Sequence, residues 1–163
     1  MNLRPAAGIA LLMFGLSLVL PALRFYSSSF ASSGWETVIF SGTMSIDLLI
    51  HPSDLQGLLL GGAAVSDRLL ASASLSGTGA NLLLLFAVGC AIRRRCTATL
   101  IAGAAALSSA AMCFVILMSD QGVQPMIGIG LWIGSMLWLS SAAAWEVWRM
   151  EFGGRRFDAA LSR

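Results

Sequence analysis

The chain has 163 residues, of which 57% are hydrophobic and 11% are charged, and its formal net charge is +2. A soluble domain carries about 25% charged residues, so this composition excludes an ordinary soluble protein and indicates a membrane protein. The net charge is too small to favour a nucleic-acid partner, and we expect the basic residues to meet lipid headgroups at helix ends.

Residues 6–23 form the first apolar segment. The segment is long enough to cross a bilayer as one helix, and Pro21 lies near its far end, where a helix tolerates the loss of a backbone hydrogen bond. A cleaved signal peptide is the alternative, with Arg4 as its basic region and residues 29–31 as a small-x-small cleavage site. Because the apolar run is longer than the core of a typical signal peptide, we expect a retained transmembrane helix.

Residues 24–72 form the one long segment between predicted spans. Ser33 and Glu36 have the spacing of a capping box, which predicts a short helix that begins after Ser33 and continues to about Phe40. A second short helix is predicted over residues 53–60, and the glycine pair that follows would end it. We expect both helices to be amphipathic and to lie on, or dip slightly into, the outer face of the membrane.

The second span, about residues 73–92, combines the apolar run 80–92 with a preceding stretch rich in Ser, Gly and Ala. The apolar run alone would be about 20 Å long as a helix, which is shorter than a bilayer core. Asn81 then lies within the bilayer or at its outer boundary. We expect Asn81 to have a hydrogen-bond partner on another helix, because an unpaired amide in lipid costs a few kcal/mol.

Arg93, Arg94 and Arg95 form the densest charge cluster and separate the second span from the third. Arginine residues in short loops stay on the cytoplasmic side, so this turn predicts the direction of both helices. Eight of the ten arginines fall on the side that the turn assigns to the cytoplasm, and both termini fall there too. Every basic residue is Arg, which is typical of GC-rich bacterial genomes, so we predict the bacterial cytoplasmic (inner) membrane.

The third span covers about residues 97–118 and the fourth about residues 126–147. Both contain small residues four apart, which let helix backbones approach closely in lipid. We predict that these residues pack against helices or contact a partner, and that the third and fourth spans form the tightest helix pair. The residues concerned are Ala102, Ala106 and Ala110 in the third span and Gly130 and Gly134 in the fourth.

Trp145, Trp148 and Arg149 end the fourth span. Aromatic and basic residues concentrate at the membrane–water interface, so these three side chains and the arginine turn are predicted to anchor the protein at the cytoplasmic face. Residues 148–163 then form a short, polar cytoplasmic tail.

Asp47, His51 and Asp54 would share one face of a continuous helix, and His with carboxylates can bind a divalent metal. Pro52 argues against such a helix, because the residue before a proline is biased out of the helical region. We therefore interpret the three residues as polar groups of the outer segment, and we predict no metal site and no cofactor.

The spans predicted over residues 6–23, 97–118 and 126–145 contain no ionisable side chain. Pumps, channels and proton-coupled transporters use such side chains inside the membrane, so their absence argues against transport and against catalysis. The three cysteines contain no CxxC pair, and we interpret them as small apolar residues of the bundle.

Three short strings occur in a recognisable order. Residues 34–36 read GWE at the start of the outer segment, residues 81–84 read NLLL in the second span, and residues 128–132 read GIGLW at the start of the fourth. In this order the chain resembles uncharacterised small four-span bacterial inner-membrane proteins, although Leu82 stands where the second string has a proline. The resemblance implies a four-span topology and implies no catalytic residues.

The sequence therefore predicts an all-α integral membrane protein with a single domain, four transmembrane helices and short interfacial helices in the outer segment. The predicted function is an accessory or structural subunit of a larger bacterial membrane protein complex, with the lipid bilayer and other membrane subunits as partners and no chemistry of its own. A small transporter or lipid-handling protein that uses an outer cleft near Asn81 is the first alternative. A metal-binding or enzymatic outer site at Asp47, His51 and Asp54 is the second.

Overall fold

The computed structural model describes residues 3–25, 31–51, 53, 56–57, 65–119 and 123–161. Within these residues the chain is mostly helical, with five long helices and one small three-stranded sheet. The elements are α1 (Leu3–Val19), β1 (Pro21–Phe25), β2 (Ala31–Ser33), α2 (Gly34–Ile50), α3 (Val65–Ile92), α4 (Cys96–Ser119), β3 (Val123–Pro125) and α5 (Ile127–Leu161).

Three helices are long and apolar enough to cross a membrane, over Asp67–Ile92, Cys96–Ser119 and Ile127–Phe152. They contain the second, third and fourth spans predicted from the sequence, and α3 begins well before the predicted residue 73. The first predicted span, residues 6–23, corresponds only in part to α1, an apolar helix of 17 residues that ends at Val19. The predicted end of this span is wrong, because the chain enters strand β1 at Pro21. At the usual helical rise, α1 is about 25 Å long, so it is short for a bilayer core.

The helices pack around a core made largely of alanine, which continues from Ala6 on α1 to Ala143 on α5. The most extensive contact joins α3 to α4. A closer approach joins α4 to α5, the predicted third and fourth spans, where a Cβ atom at Gly103 would lie 2.6 Å from the Ser140 Oγ atom and 3.5 Å from the Ser140 Cα. Small residues of α3 lie against α4: a Cβ atom at Gly77 would be in van der Waals contact with the Cys113 Sγ atom of α4, at 3.5 Å. The Ser109 hydroxyl of α4 also donates a hydrogen bond to the backbone of α3. The Ser/Gly/Ala-rich stretch therefore serves as a packing surface.

The turn between α3 and α4 has a defined backbone structure. The Arg94 N–H donates to the Ala91 carbonyl (3.0 Å) and the Arg95 N–H donates to the Cys90 carbonyl (2.9 Å), which together form a Schellman motif. Arg94 has a φ of 58°, a left-handed conformation in which glycine is the usual residue. A side chain there costs about 1 kcal/mol, so the turn keeps its positive charge at the expense of backbone strain.

Short segments at the opposite end of the bundle form an antiparallel sheet of order β2-β1-β3. Leu23 of the central strand pairs with Ser32 on one side and with Pro125 on the other. The sheet thus joins the connection between α1 and α2 to the connection between α4 and α5. The sequence analysis predicted no strand. The predicted all-α fold class therefore needs one correction, the presence of this small sheet.

Two names are used below for the ends of the bundle. The sheet end carries β1–β3. The arginine end carries Arg93–Arg95, and the Arg4 guanidinium lies there too, because its Nε donates to the Ile92 carbonyl at 3.5 Å.

Helix α2 begins with the predicted capping box. The Ser33 hydroxyl accepts a hydrogen bond from the Glu36 N–H, and the Glu36 carboxylate accepts one from the Ser33 N–H at 2.7 Å. The helix continues to Ile50, well beyond the predicted end near Phe40. The second helix predicted over residues 53–60 lies mostly outside the described residues. One face of α2 is exposed and apolar, with Trp35, Ile39, Phe40, Ile46, Leu49 and Ile50.

Candidate functional site

A partly open cavity of about 150 Å³ lies at the sheet end, between the end of α1, helix α2, the first half of α3, the end of α4 and the start of α5. A closed apolar cavity of this volume can hold a molecule of the size of benzene. None of the described lining residues is charged. They are Ser17, Leu18, Ala22, Leu23, Gly34, Thr37, Val38, Phe40, Ser41, Leu69, Leu70, Ala73, Ser74, Gly77, Asn81, Cys113, Ile116, Leu117, Gly128, Ile129 and Trp132.

Asn81 and Trp132 meet in the wall of this cavity. The Trp132 indole Nε1 donates to the Asn81 Oδ1 at 2.7 Å, which links α3 to α5. An indole N–H can only donate, so this bond fixes the amide orientation with its oxygen toward Trp132. The prediction that Asn81 has a partner on another helix is confirmed.

The amide nitrogen of Asn81 is left with two N–H donors. Among the residues that the structure describes, the hydrogen bond of the Asn81 side chain is the one that its oxygen accepts from Trp132. An amide donor at the edge of an apolar cavity gains free energy from any acceptor that a bound molecule brings.

The hydroxyl groups of the cavity wall are engaged within the protein. Ser17, Thr37 and Ser41 donate to backbone carbonyls of their own segments, at 2.6, 3.0 and 3.2 Å. The Ser74 hydroxyl donates to the Met44 sulfur at 3.4 Å, which helps to hold α2 against α3. The hydrogens of these hydroxyl groups are therefore already used within the protein, whereas the Asn81 amide keeps N–H donors.

Two further hydroxyl contacts fix α2 on the outer half of α3. The Ser45 hydroxyl donates to the Thr78 Oγ1 at 3.1 Å, and Thr78 donates to the Ser41 Oγ at 3.5 Å. Thr78 precedes Asn81 by less than one helical turn, so α2 closes the cavity on this side.

The small residues singled out from the sequence separate into two groups. Ala102, Ala106 and Ala110 are buried in the core of the bundle. Gly134 lies against the Met13 side chain of α1. Gly130 is exposed, and a Cβ atom there would meet no other atom within 4 Å. The helix turns Gly130 away from the core, and its predicted contact with a partner stays a prediction.

The polar residues of the predicted outer site are only partly brought together. The His51 Nδ1 atom lies 3.3 Å from the Asp47 carboxylate, and both side chains are exposed. Asp54 lies outside the described residues. Among the residues that the structure describes, no group of three potential metal ligands was found. A metal or enzymatic site at these positions stays a hypothesis.

The predicted membrane anchors lie on the exposed surface. Trp145 and Trp148 stack with ring centroids 5.2 Å apart, and both are about half exposed. Arg149 and the three arginines of the turn are exposed as well. These positions fit an interfacial role, which stays a prediction.

Sequence reasoning found Asn81 but missed most of the cavity around it. Leu70, Ser74, Gly77 and Asn81 repeat at spacings of three and four, which places them on one face of α3. This periodicity can be read from the sequence. The residues that α2 and the strands contribute to the cavity cannot, because their positions depend on how the sheet pairs distant segments.

Comparison with protein-family models, curated proteins and solved structures gave no match for this chain. The class that the fold supports is a multi-pass helical membrane protein, since three of its described helices are long and apolar enough to cross a bilayer.

Proposed function

We propose that this chain crosses the bacterial cytoplasmic membrane four times, with both termini in the cytoplasm and the sheet end outside. Helix α1 supplies the fourth crossing, since its start lies beside the end of α3 at the arginine end. The exposed arginines at that end support a cytoplasmic position by the positive-inside rule. The exposed apolar face of α2 supports a position at the outer membrane surface.

Cysteine labelling on intact cells tests this orientation. Cys96 is partly exposed beside the arginine turn, whereas Cys90 and Cys113 are buried. A membrane-impermeant maleimide is expected to label Cys96 only after permeabilisation. In a Cys96→Ser background, a Gln124→Cys variant on exposed β3 is expected to react in intact cells. Labelling of Cys96 from outside would overturn the orientation.

The proposed activity is the non-covalent binding of an apolar molecule from the bilayer in the cavity at the sheet end. The cavity itself carries this proposal: it is uncharged, partly open and lined by residues of all four helices that would cross the lipid, α1, α3, α4 and α5. A lipid-handling role without catalysis follows, which corresponds to the first alternative drawn from the sequence.

Two glycines on α3 provide a matched test of this binding. Gly77 lines the cavity, whereas Gly89 is exposed and has no neighbour within 4 Å of a Cβ atom. We expect Gly77→Leu to abolish saturable photo-crosslinking of a phenyl-diazirine probe to the purified protein, because the leucine side chain occupies much of the cavity. Gly89→Leu is expected to crosslink like the wild type. Equal crosslinking in both variants, each eluting as a folded protein, would contradict the proposal.

An accessory subunit is the second proposal. It is favoured by the exposed face of α4, where Ala104, Ser108 and Ala111 are small enough for another membrane helix to approach closely. Crosslinking from a Ser108→Cys variant to one defined membrane protein would support it. Crosslinking to lipid alone would argue against it.

A further inference from the structure

The Asn81 amide keeps its N–H donors at the inner end of the cavity, and this position restricts what can bind there. We infer that the ligand is a small neutral carbonyl compound, with a body of about one aromatic ring, that enters with its oxygen leading and accepts a hydrogen bond from the Asn81 Nδ2 atom. This inference rests on the proposed binding function and names the ligand class.

The first argument concerns the direction in which a ligand lies. The described lining residues farthest from the sheet end are Asn81 on α3, Trp132 on α5 and Cys113 on α4. The wall nearer the sheet end is mostly apolar, with Leu23 and Ile129 among its residues. A ligand that uses the Asn81 amide therefore directs its polar group inward and places its apolar body toward the sheet end.

The second argument concerns hydrogen bonding. Trp132 donates to the oxygen of the Asn81 amide at 2.7 Å, so the group left for a ligand is the Nδ2 donor. A pure hydrocarbon would leave that donor unmatched, whereas an acceptor oxygen satisfies it. The neighbouring hydroxyls of Ser17 and Thr37 already donate to carbonyls of the chain. A carbonyl group suits this site, because it accepts a hydrogen bond and brings no donor of its own that the wall would have to match.

The third argument concerns charge and depth. Asn81 lies about 17 Å along α3 from Ile92, the last residue before the arginine turn. In the proposed four-span orientation this level lies inside the hydrocarbon of the bilayer, whose core is about 30 Å thick. No described residue of the lining carries a charge, so a carboxylate or phosphate beside Asn81 would be buried without a counter-charge, which is strongly unfavourable. The acceptor is therefore a neutral oxygen.

The fourth argument concerns size. The cavity has a volume of about 150 Å³, and a closed apolar cavity of this volume holds a molecule of the size of benzene. Gly77 lines the cavity and precedes Asn81 by about one helical turn, so its missing side chain leaves space beside the amide. One ring with a carbonyl substituent matches this space, and its apolar faces match the wall.

The test is competition against the phenyl-diazirine probe in the purified full-length protein. The competitors are acetophenone and α-methylstyrene, which have nearly the same shape and differ in that a CH₂ group replaces the carbonyl oxygen. At equal mole fraction in the detergent micelle, we expect acetophenone to displace the probe about five-fold more effectively, as one hydrogen bond in an apolar medium allows. Ionised benzoate at the same mole fraction is expected not to compete, because its charge would be buried unpaired.

Substitutions locate the hydrogen bond. Trp132→Phe retains the Asn81 donor and is expected to keep the preference for acetophenone. The double variant Asn81→Leu/Trp132→Phe removes both donors and is expected to reduce the preference to parity while still binding the probe. The double variant is needed because Asn81→Leu alone would free the indole N–H of Trp132.

The possible failures can be distinguished. If neither acetophenone nor α-methylstyrene displaces the probe in the wild-type protein, the proposed binding function is wrong. If the two compete equally in the wild type, binding stands and the carbonyl inference is overturned. The inference is also overturned if benzoate competes as well as acetophenone, or if the preference survives in the double variant. The wild-type comparisons decide between binding and its specificity even where a variant does not fold.

Discussion

A Gly34→Ala variant is expected to lose about 3 kcal/mol of its free energy of unfolding, at the upper end of what overpacking costs. Gly34 is the first residue of α2, and its N–H donates to the Leu20 carbonyl at 3.0 Å. A Cβ atom there would overlap the Ser17 carbonyl and lie 2.9 Å from the Leu18 Cα. Both neighbours are backbone atoms, so no side-chain rotation relieves the clash.

Reversible unfolding in mixed detergent micelles measures this effect. Gly42→Ala is the matched control, because Gly42 lies in the same helix and has no atom within 4 Å of a Cβ position. The control is expected to gain about 0.5–1 kcal/mol from helix propensity. A Gly34→Ala protein as stable as this control would show that α2 does not pack on α1 as described.

The position of Gly34 also explains how the cavity is built. Ser33 caps α2, and the following glycine lets the helix begin in direct contact with the end of α1. Both Gly34 and Ser17 line the cavity, so this contact sets the distance between two of its walls. A substitution at Gly34 is therefore expected to weaken binding of the apolar probe as well as folding.

The parts of the fold that the sequence predicted are those set by local chemistry. Apolar length identified the long helices, and the spacing of Ser33 and Glu36 identified the start of α2. The need for a partner at Asn81 followed from the high free energy of an unpaired amide in lipid. Each of these inferences depends on a single segment of the chain and on whether water or lipid surrounds it.

The parts that were missed depend on contacts between distant segments. Strands β2 and β3 have three residues each, which is too short for an alternating pattern to appear. The end of α2 was placed too early, because its hydroxyl contacts with Thr78 and Ser74 are not visible in the sequence. The cavity depends both on the sheet and on the full length of α2. Only the wall that α3 contributes, which includes Asn81, could therefore be predicted.

The same limit applies to the choice between neighbouring glycines. The four-residue spacing of Gly130 and Gly134 drew attention to Gly130, yet Gly130 is exposed. Gly128 is buried against the chain as it leaves α1, close to the Pro21 and Leu20 carbonyls. Spacing identifies glycines that could share a face, and only tertiary structure shows which of them another segment touches.

Gly128→Ala is therefore expected to destabilise the protein by about 2 kcal/mol, whereas Gly130→Ala is expected to stabilise it by about 0.5–1 kcal/mol. A Cβ atom at Gly128 would lie 2.8 Å from the Pro21 carbonyl oxygen and 3.1 Å from the Ala22 Cα. Since β1 is paired on both sides, this backbone has little freedom to withdraw. Gly130 has open space at the same position, so alanine adds helix propensity without a clash.

The measurement is the free energy of unfolding of the two variants and the wild type, side by side in the same mixed micelles. Each variant adds one methyl group, and the two positions are two residues apart in the same helix. The difference between their free energies of unfolding is therefore informative even if the detergent shifts the values of all three proteins. If Gly130→Ala were the more damaging change, α5 would have to be rotated, with the face that carries Gly130 against the core. The Trp132–Asn81 hydrogen bond would not survive that rotation, and the binding site proposed around it would be lost as well.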